Sequence, residues 1–338
     1  YMKIDKIEDV TKENIIARAS DLSKFVLRTP TIQLSSERLK TYLSGAEIYL
    51  KLECMQHTGT FKARGAISVA LQIPTDEVKF GITAASAGNH AIASSWAARQ
   101  IDTTAKVVMA NTANPYRVEQ AKRYGGEIIL KEPGKALFDE AERLVEKEMR
   151  TFIHPFEGIN TTLGASGVGL ELMDDIKNLD AVVVSVGGGG LISGVSAAVK
   201  AINSKCKVYG VEPIGADSMS KSITAGKPIT LSSTDTIADS LSPPMALPFG
   251  FQLCKKNVDK IVLVSDHEIC SGMTLLMEEG KLAVEPAAGA VMAGIIFRLR
   301  EQLMGKKIGL IVCGSNIDAK TYNEFNKRGS KHLANFNL

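Results

Sequence analysis

The chain has 338 residues, 45% of them apolar, and its 40 basic side chains against 37 acidic ones give a formal net charge of +3. This length exceeds the usual size of one hydrophobic core, and the charge balance gives no reason to expect nucleic acid or an anionic membrane as a partner. No apolar run approaches ~20 residues, the start of the chain has no signal-like segment and the five cysteines form no C-x-x-C pair, so we expect a cytoplasmic protein in a reducing compartment.

Short β-rich runs alternate with amphipathic helical stretches along the chain. Strands are predicted at 47–52, 80–84, 106–109, 127–130, 181–186, 207–211, 260–264 and 307–313. Several of these are continuous apolar runs, which is typical of strands buried on both faces of a parallel sheet. Helical periodicity is clearest at 136–149, where the apolar side chains share one stripe. The alternation predicts a doubly wound α/β fold, in which ligands bind beyond the carboxyl ends of the strands.

The loop after the first predicted strand leads to Lys62, which follows Phe61 and precedes small residues. A lysine in an apolar pocket has a lowered pKa, and an amine that forms an imine needs this property. By itself this lysine is weak evidence, because most lysines are solvated surface residues.

The loop after the second predicted strand contains Ser86, Ala87, Gly88, Asn89 and His90 and precedes a helix predicted at 91–98. Backbone N–H groups at this helix start could hold a carboxylate, and Asn89 could donate to a phenolate oxygen. His90 alone is more often a packed structural residue than a catalyst. No second histidine, cysteine or carboxylate stands at ligand spacing, so no zinc site is predicted.

Four consecutive glycines follow the strand predicted at 181–186, and a helical stretch at 195–200 comes soon after. They are Gly187, Gly188, Gly189 and Gly190, with Leu191 next. Their freedom to turn aims successive N–H groups at one anion, and the helix start adds a partial positive charge. The spacing matches neither G-x-G-x-x-G nor a P-loop, so a phosphate monoester fits better than a pyrophosphate. The alternative is a tight turn without a ligand.

Taken together, these segments resemble the fold-type-II family of pyridoxal-phosphate enzymes, in the branch of threonine/serine dehydratases and serine racemases. The resemblance covers nearly the whole chain. Six segments resemble the family's motifs, in the family's order, for the cofactor lysine, the substrate carboxylate, the phosphate, two core segments and the pyridine nitrogen: 58–66, 86–90, 187–191, 236–239, 284–287 and 313–316.

The resemblance implies a two-domain architecture like that of tryptophan synthase β, with parallel twisted sheets flanked by helices. A large cofactor-binding domain would comprise 1–79 and 158–338, and a small α/β domain would be inserted at 80–157. Pyridoxal 5'-phosphate would contact Phe61, Lys62, Asn89, Gly187, Gly188, Gly189, Gly190, Leu191, Glu285 and Cys313. The substrate would contact Ser86, Ala87, Gly88, Asn89 and His90. A homodimer is expected.

The reaction that the resemblance implies is loss of water from L-threonine and/or L-serine, giving 2-oxobutyrate or pyruvate plus ammonia. Lys62 would hold the cofactor as an imine and then remove the Cα proton, and the cofactor phosphate would protonate the leaving hydroxyl. Cys313 stands where the family usually has Ser or Thr. A neutral thiol cannot keep the pyridine nitrogen protonated, which favours prompt loss of a β-substituent. Without the family context, Cys313 is equally well a small buried apolar residue.

Several positions depart from the family pattern. Ala87 replaces a serine that delivers a proton in similar serine racemases, so racemisation should be poor. Glu212 keeps one position of a divalent-cation site but Ser218 replaces its second acid, and we assign no metal ligand. Residues 242–250 contain prolines that predict a loop near the substrate entrance, and 160–167 also departs from the family. These differences leave open which hydroxy-amino acid is the substrate.

Four alternatives remain at this point. A serine racemase and a 3-hydroxyaspartate dehydratase belong to the same family. A nicotinamide-dependent oxidoreductase would also use an α/β fold and a glycine loop, but the G-x-G-x-x-G pattern is absent. A non-catalytic binding protein would have no need to retain Lys62 and Asn89.

Overall fold

The computed structural model describes residues 5–86 and 88–336. Its strands are β1 Thr31–Gln33, β2 Glu47–Lys51, β3 Ile82–Ala85, β4 Ala105–Ala110, β5 Gly126–Lys131, β6 Thr151–Phe152, β7 Ala181–Ser185, β8 Lys207–Pro213, β9 Lys260–Val264 and β10 Lys307–Ile311. Its helices are α1 Lys12–Leu22, α2 Glu37–Tyr42, α3 Lys62–Ala70, α4 Asn89–Gln100, α5 Pro115–Arg123, α6 Lys135–Glu148, α7 Ile159–Asp175, α8 Gly190–Ile202, α9 Ser218–Ala225, α10 Pro248–Asn257, α11 Asp266–Glu278, α12 Pro286–Phe297, α13 Arg300–Leu303 and α14 Ala319–Leu333.

The larger sheet has six strands in the order β1-β2-β10-β7-β8-β9. Only β1 runs antiparallel to its neighbour; the other pairs are parallel. All five residues of β7 are buried, as its continuous apolar run predicts for a central parallel strand. Helices α8 and α12 pack against this sheet and enclose the main hydrophobic core.

The smaller sheet has four parallel strands in the order β5-β4-β3-β6. Its strands come from one continuous part of the chain and lie within the segment 80–157. Helices α4, α5 and α6 pack against it, and residues of α1 and α3 join its core. The division of the chain into an inserted and a discontinuous domain stays a prediction.

All eight predicted strands are present, with ends within two residues of the predicted ones. The predicted helix 136–149 is α6, and the helices predicted at 91–98 and 195–200 begin earlier, at Asn89 and Gly190. The prediction of a loop throughout 242–250 is wrong at its end, because α10 begins at Pro248. A proline suits the first helical turn, where its missing N–H has no partner to lose. Strands β1 and β6 were not predicted.

Within residues 5–86 and 88–336, no helix combines the length and the apolar character that crossing a bilayer requires.

Candidate active site

A cleft of about 370 Å³ is lined by loops that follow strands of both sheets. In a parallel sheet these loops lie at the same edge, which is why residues distant in sequence meet there. Every predicted site residue in the described part of the chain lines the cleft: Phe61, Lys62, Ser86, Gly88, Asn89, His90, Gly187, Gly188, Gly189, Gly190, Leu191, Glu285 and Cys313. Ala87 lies outside the described residues. The roles of these residues stay predictions.

Lys62 is the first residue of α3, and its amine points into the cleft region beside Pro155. Its Nζ donates a hydrogen bond to the Pro155 carbonyl oxygen and lies 5.2 Å from the centre of the Phe61 ring. Burial lowers the pKa of Lys62 to about 8, against the opposing effect of Cys313 and Glu285. Part of the lysine side chain stays accessible, but the amine itself is enclosed. A substantial neutral fraction near pH 7–8 makes this amine nucleophilic.

The helix that carries Lys62 is fixed by buried ion pairs. Arg64 donates to both oxygens of Glu53, each at 2.9 Å, and to both oxygens of Glu171 at 2.8 and 2.9 Å. Lys51, fully buried, lies 2.7 Å from the second Glu171 oxygen. Since buried charges are tolerated only when they are paired and hydrogen-bonded, this cluster holds α3 against β2 and α7 in one position.

The glycine loop needs glycine for steric reasons that can be read from the structure. Gly189 has φ +96°, in the left-handed region. A Cβ on Gly188 would lie 2.4 Å from the ring of Phe156. Helix α8 begins at Gly190 and has no side-chain cap at its start. Its first backbone N–H groups are therefore available for an anion, which fits a phosphate group.

Asn89 belongs to a buried hydrogen-bond network with Glu285 and Asn316. Asn89 Nδ2 donates to the two Glu285 oxygens at 2.7 and 3.0 Å, and Asn316 Nδ2 donates to Asn89 Oδ1 at 2.8 Å. Burial raises the pKa of Glu285, while Arg117 acts in the opposite direction. The Asn89 amide nitrogen thus faces Glu285, and donation to a phenolate oxygen would replace one of these contacts.

Cys313 follows β10 and is buried at the floor of the cleft. Ser185, the last residue of β7, donates its hydroxyl to Cys313 Sγ at 3.6 Å. Burial raises the pKa of the Cys313 thiol well above its usual range, so the thiol stays neutral. The role of this neutral thiol opposite the pyridine nitrogen, which the resemblance implies, stays a prediction. Ser185 itself was not predicted, although its place two residues before the glycine loop is a usable signal.

His90 is a packed residue within the cleft wall. Its Nε2 lies 2.8 Å from the Ile153 carbonyl oxygen, which can only accept, so the proton must be on Nε2. Burial lowers the pKa of His90 to about 3. The ring is therefore neutral, and it packs against the loop that follows β6.

Arg117 and Asp239 also line the cleft and were not predicted as site residues. Arg117 Nη1 lies 2.5 Å from Asp239, and two further nitrogens of Arg117 each donate to the Asn316 carbonyl oxygen at 3.2 Å. Asp239 is the last residue of the core motif 236–239, and its place in that motif could have identified it as a site residue. The loop that follows β6, with His154 and Phe156, was missed because β6 has only two residues and no periodicity.

Glu212, where the resemblance places one ligand of a divalent cation, is hydrogen-bonded to the backbone. The Glu212 oxygens accept from the backbone N–H groups of Met219 and Ser220 at 2.8 and 2.9 Å, at the start of α9. Burial raises the pKa of Glu212 to about 7. In the part of the chain that the structure describes, no three histidine, cysteine or carboxylate side chains are grouped to hold a metal.

Comparisons with known proteins identify the family. The model of the family "Pyridoxal-phosphate dependent enzyme" matches residues 22–314. The chain is 45% identical to phenylserine dehydratase from Ralstonia pickettii, over 82% of this chain and 85% of the relative. It is 35% identical to L-threonine ammonia-lyase from Thermotoga maritima, over 95% of this chain and 79% of that relative. The structure of maize serine racemase superposes with a TM-score of 0.87 at 32% identity, covering 96% of this chain and 99% of that one. The glycine cradle, the enclosed amine of Lys62 and these matches together show that the chain belongs to the pyridoxal-phosphate-dependent enzyme family, with the fold-type-II architecture and pyridoxal 5'-phosphate as its cofactor.

Proposed function

We propose that this enzyme removes water from a 3-hydroxy-amino acid, with L-threonine and L-serine as substrates, and releases an oxo acid and ammonia. The observation that carries the proposal is the enclosed Lys62 amine, whose pKa is lowered to about 8, in a cleft that also contains a phosphate cradle and a neutral thiol. When bound, pyridoxal phosphate supplies the electron-withdrawing ring that acidifies the Cα proton. Lys62, the glycine loop, Asn89 and Cys313 would hold it.

The chain's own groups account for binding and orientation of the substrate. Helix α4 begins at Asn89 without a side-chain cap, so its first N–H groups can bind the substrate carboxylate. Ser86 Oγ accepts from the Gly88 N–H at 3.2 Å, which shapes this loop. With the carboxylate held there, the amino group points toward the Lys62 side of the cleft.

Proton transfer is assigned to Lys62. Its neutral amine removes the Cα proton, and the electron pair of that bond forms the Cα–Cβ double bond as the Cβ–O bond breaks. The C–O electron pair leaves with the oxygen, and the ammonium of Lys62 returns a proton to it, so this step is loss of one water. The enamine that is released tautomerises to an imine, and one water hydrolyses the C=N bond to give the oxo acid and ammonia. The family resemblance implies a different donor for this proton, the cofactor phosphate, and we propose Lys62 in its place.

A second substrate, 3-phenylserine, is favoured by the apolar side of the cleft. Leu137 and Phe138 of α6 line the cleft, and so do Pro243, Pro244 and Met245. The Phe138 residue is 54% exposed, so a phenyl substituent would cover apolar surface there. The methyl group of threonine is too small to cover it. The relative from Ralstonia pickettii carries the name of this activity.

Racemisation is expected to be minor, because Ala87 has no proton to deliver to the face opposite Lys62.

A dimer in solution, which the resemblance implies, is tested by size-exclusion chromatography with light scattering.

The test begins with the absorbance spectrum of the protein reconstituted with the cofactor. A band at about 415 nm is expected, and it should disappear in Lys62→Ala. Lys135→Ala is the control, because the Lys135 side chain is 85% exposed and does not line the cleft. A wild-type protein that stays colourless would contradict the proposal.

Substrates are then compared by release of oxo acid and ammonia. The panel contains L-threonine, L-serine, L-threo-3-phenylserine and L-threo-3-hydroxyaspartate, and each reaction is also checked for the D-isomer. Highest kcat/KM for 3-hydroxyaspartate, or accumulation of D-serine as the main product, would refute the assignment. If phenylserine is the one substrate of the panel that is turned over, the substrate assignment changes from threonine and serine to 3-phenylserine.

A further inference from the structure

His154 lies in the cleft wall directly before Pro155, the residue whose carbonyl oxygen holds the Lys62 amine. The Nδ1 of His154 accepts two backbone N–H groups, from Phe156 at 3.2 Å and from Glu157 at 2.9 Å. Its ring stands edge-on to the Phe156 ring at a centroid distance of 4.7 Å and an interplanar angle of 88°. These contacts fix both the position and the orientation of the imidazole.

The same contacts fix its protonation. An atom that accepts two N–H groups carries no proton, so the proton of the neutral ring is on Nε2. Burial and the charge of Lys62 lower the pKa of His154 to about 4, and the ring is neutral at physiological pH. The residue therefore presents one N–H donor of defined direction across a wide pH range.

This donor is available to a ligand. Among residues 5–86 and 88–336, no hydrogen-bond partner of His154 Nε2 is found. The fully buried side-chain atoms without a partner do not include this nitrogen, so it is accessible. His154 lines the cleft, and we infer that its N–H opens on it. His90 differs, because its Nε2 proton is used by Ile153 and its enclosed Nδ1 can only accept.

Several other donors of the cleft already have a task. The N–H groups of the glycine loop suit the phosphate, the start of α4 suits the carboxylate, and Arg117 is paired with Asp239. We propose that His154 Nε2–H donates a hydrogen bond to the β-hydroxyl oxygen of the substrate and orients the Cβ–O bond for cleavage. This inference rests on the proposed dehydration.

His154 orients the leaving group and does not protonate it. Loss of the Nε2 proton would leave an imidazolate, because Nδ1 is occupied by two backbone donors and cannot take up a compensating proton. The proton that completes the water molecule comes from the Lys62 ammonium, as described above. The hydrogen bond strengthens as negative charge develops on the oxygen, so its effect is expected mainly in kcat.

Two substitutions separate the local structural contacts of His154 from the donor. His154→Asn places an amide oxygen near the position of Nδ1, where it can accept from Phe156 and Glu157, and removes the donor into the cleft. His154→Gln places an amide N–H near the position of Nε2 and removes the local acceptor. Cofactor absorbance and melting temperature are recorded for both variants, to measure any structural effect separately from the reaction.

The reaction is measured with L-serine and with β-chloro-L-alanine, which differ only in the leaving group. Chloride leaves as a stable anion and needs neither a proton nor a strong donor. In His154→Asn we expect kcat for L-serine to fall about thirtyfold and kcat for β-chloro-L-alanine by less than about threefold. His154→Gln should retain most of the wild-type ratio between the two substrates, and neither variant should shift the pH profile between pH 6 and 9.

Equal losses with both substrates in His154→Asn would overturn the inference and leave His154 a structural role. A shifted pH profile would overturn it too, by indicating proton transfer from this residue. Failure of the proposed function has a different signature: the wild-type enzyme would release chloride from β-chloro-L-alanine but no ammonia from any hydroxy-amino acid.

Discussion

Replacement of Lys62 by methionine is expected to stabilise the cofactor-free protein while abolishing activity. The pKa of Lys62 is about 8 in the folded protein against an ordinary value of 10.5, so the folded state disfavours the charged amine. By linkage this destabilises the folded state by about 3 kcal/mol at pH 7 and by about 1.4 kcal/mol at pH 9.5. The destabilisation is present in full below the pKa of Lys62 in the folded protein, about 8, and disappears as pH rises through 10.5.

Methionine has nearly the length of lysine and no charge, so it removes this penalty. It also removes the hydrogen bond to the Pro155 carbonyl oxygen, which offsets about 1 kcal/mol. The expected net gain in unfolding free energy is therefore about 2 kcal/mol at pH 7 and close to zero at pH 9.5. A functional residue that costs stability is a common finding in active sites.

The measurement is urea unfolding of the cofactor-free wild type and Lys62→Met at both pH values. Lys135→Met is the control, because this side chain is 85% exposed and its ion-pair partner Asp139 is exposed too. It should leave the unfolding free energy close to that of the wild type at both pH values. A Lys62→Met protein less stable than the wild type at pH 7, or a gain that does not shrink at pH 9.5, would refute the reasoning.

Four further substitutions test other predictions about the site. Gly188→Ala places a Cβ 2.4 Å from the Phe156 ring, and we expect about tenfold weaker cofactor binding, measured by equilibrium dialysis; unchanged binding would contradict the steric argument. Ala87→Ser should increase D-serine formation from L-serine, which chiral chromatography detects, and an unchanged product ratio would remove the reason given for weak racemisation. Arg117→Met should lower the unfolding free energy by about 3 kcal/mol and Asp239→Asn by less than about 1 kcal/mol, because these side chains are 6% and 58% exposed. Urea unfolding of both variants checks this order.

The elements that sequence predicted best are those with a strong local pattern. Strand β7 is a continuous apolar run and α6 has a clear 3.6-residue period, and both are found within one residue of the predicted ends. Strands β1 and β6 have three and two residues, which is too short for any periodicity. The sequence prediction misses the start of α10 at Pro248, because prolines in sequence favour a loop. Proline is also well suited to a first helical turn, which is where Pro248 lies.

By itself, the sequence predicted which residues form the site. Lys62 and Cys313 are each weak signals alone, and their predicted roles come from the order of several short segments that together resemble the family. The glycine loop is the strongest local signal, because a glycine's conformational freedom belongs to the residue itself.

Tertiary structure alone decided how these groups are held. Arg64 is paired with Glu171, 107 residues away, and Asn316 with Asn89, 227 residues away. No local pattern distinguishes such charged and amide residues from solvated ones, because their burial depends on a partner brought in by another strand or helix. The same holds for His154, whose free donor follows from two backbone contacts and a ring packing that exist only in the folded chain.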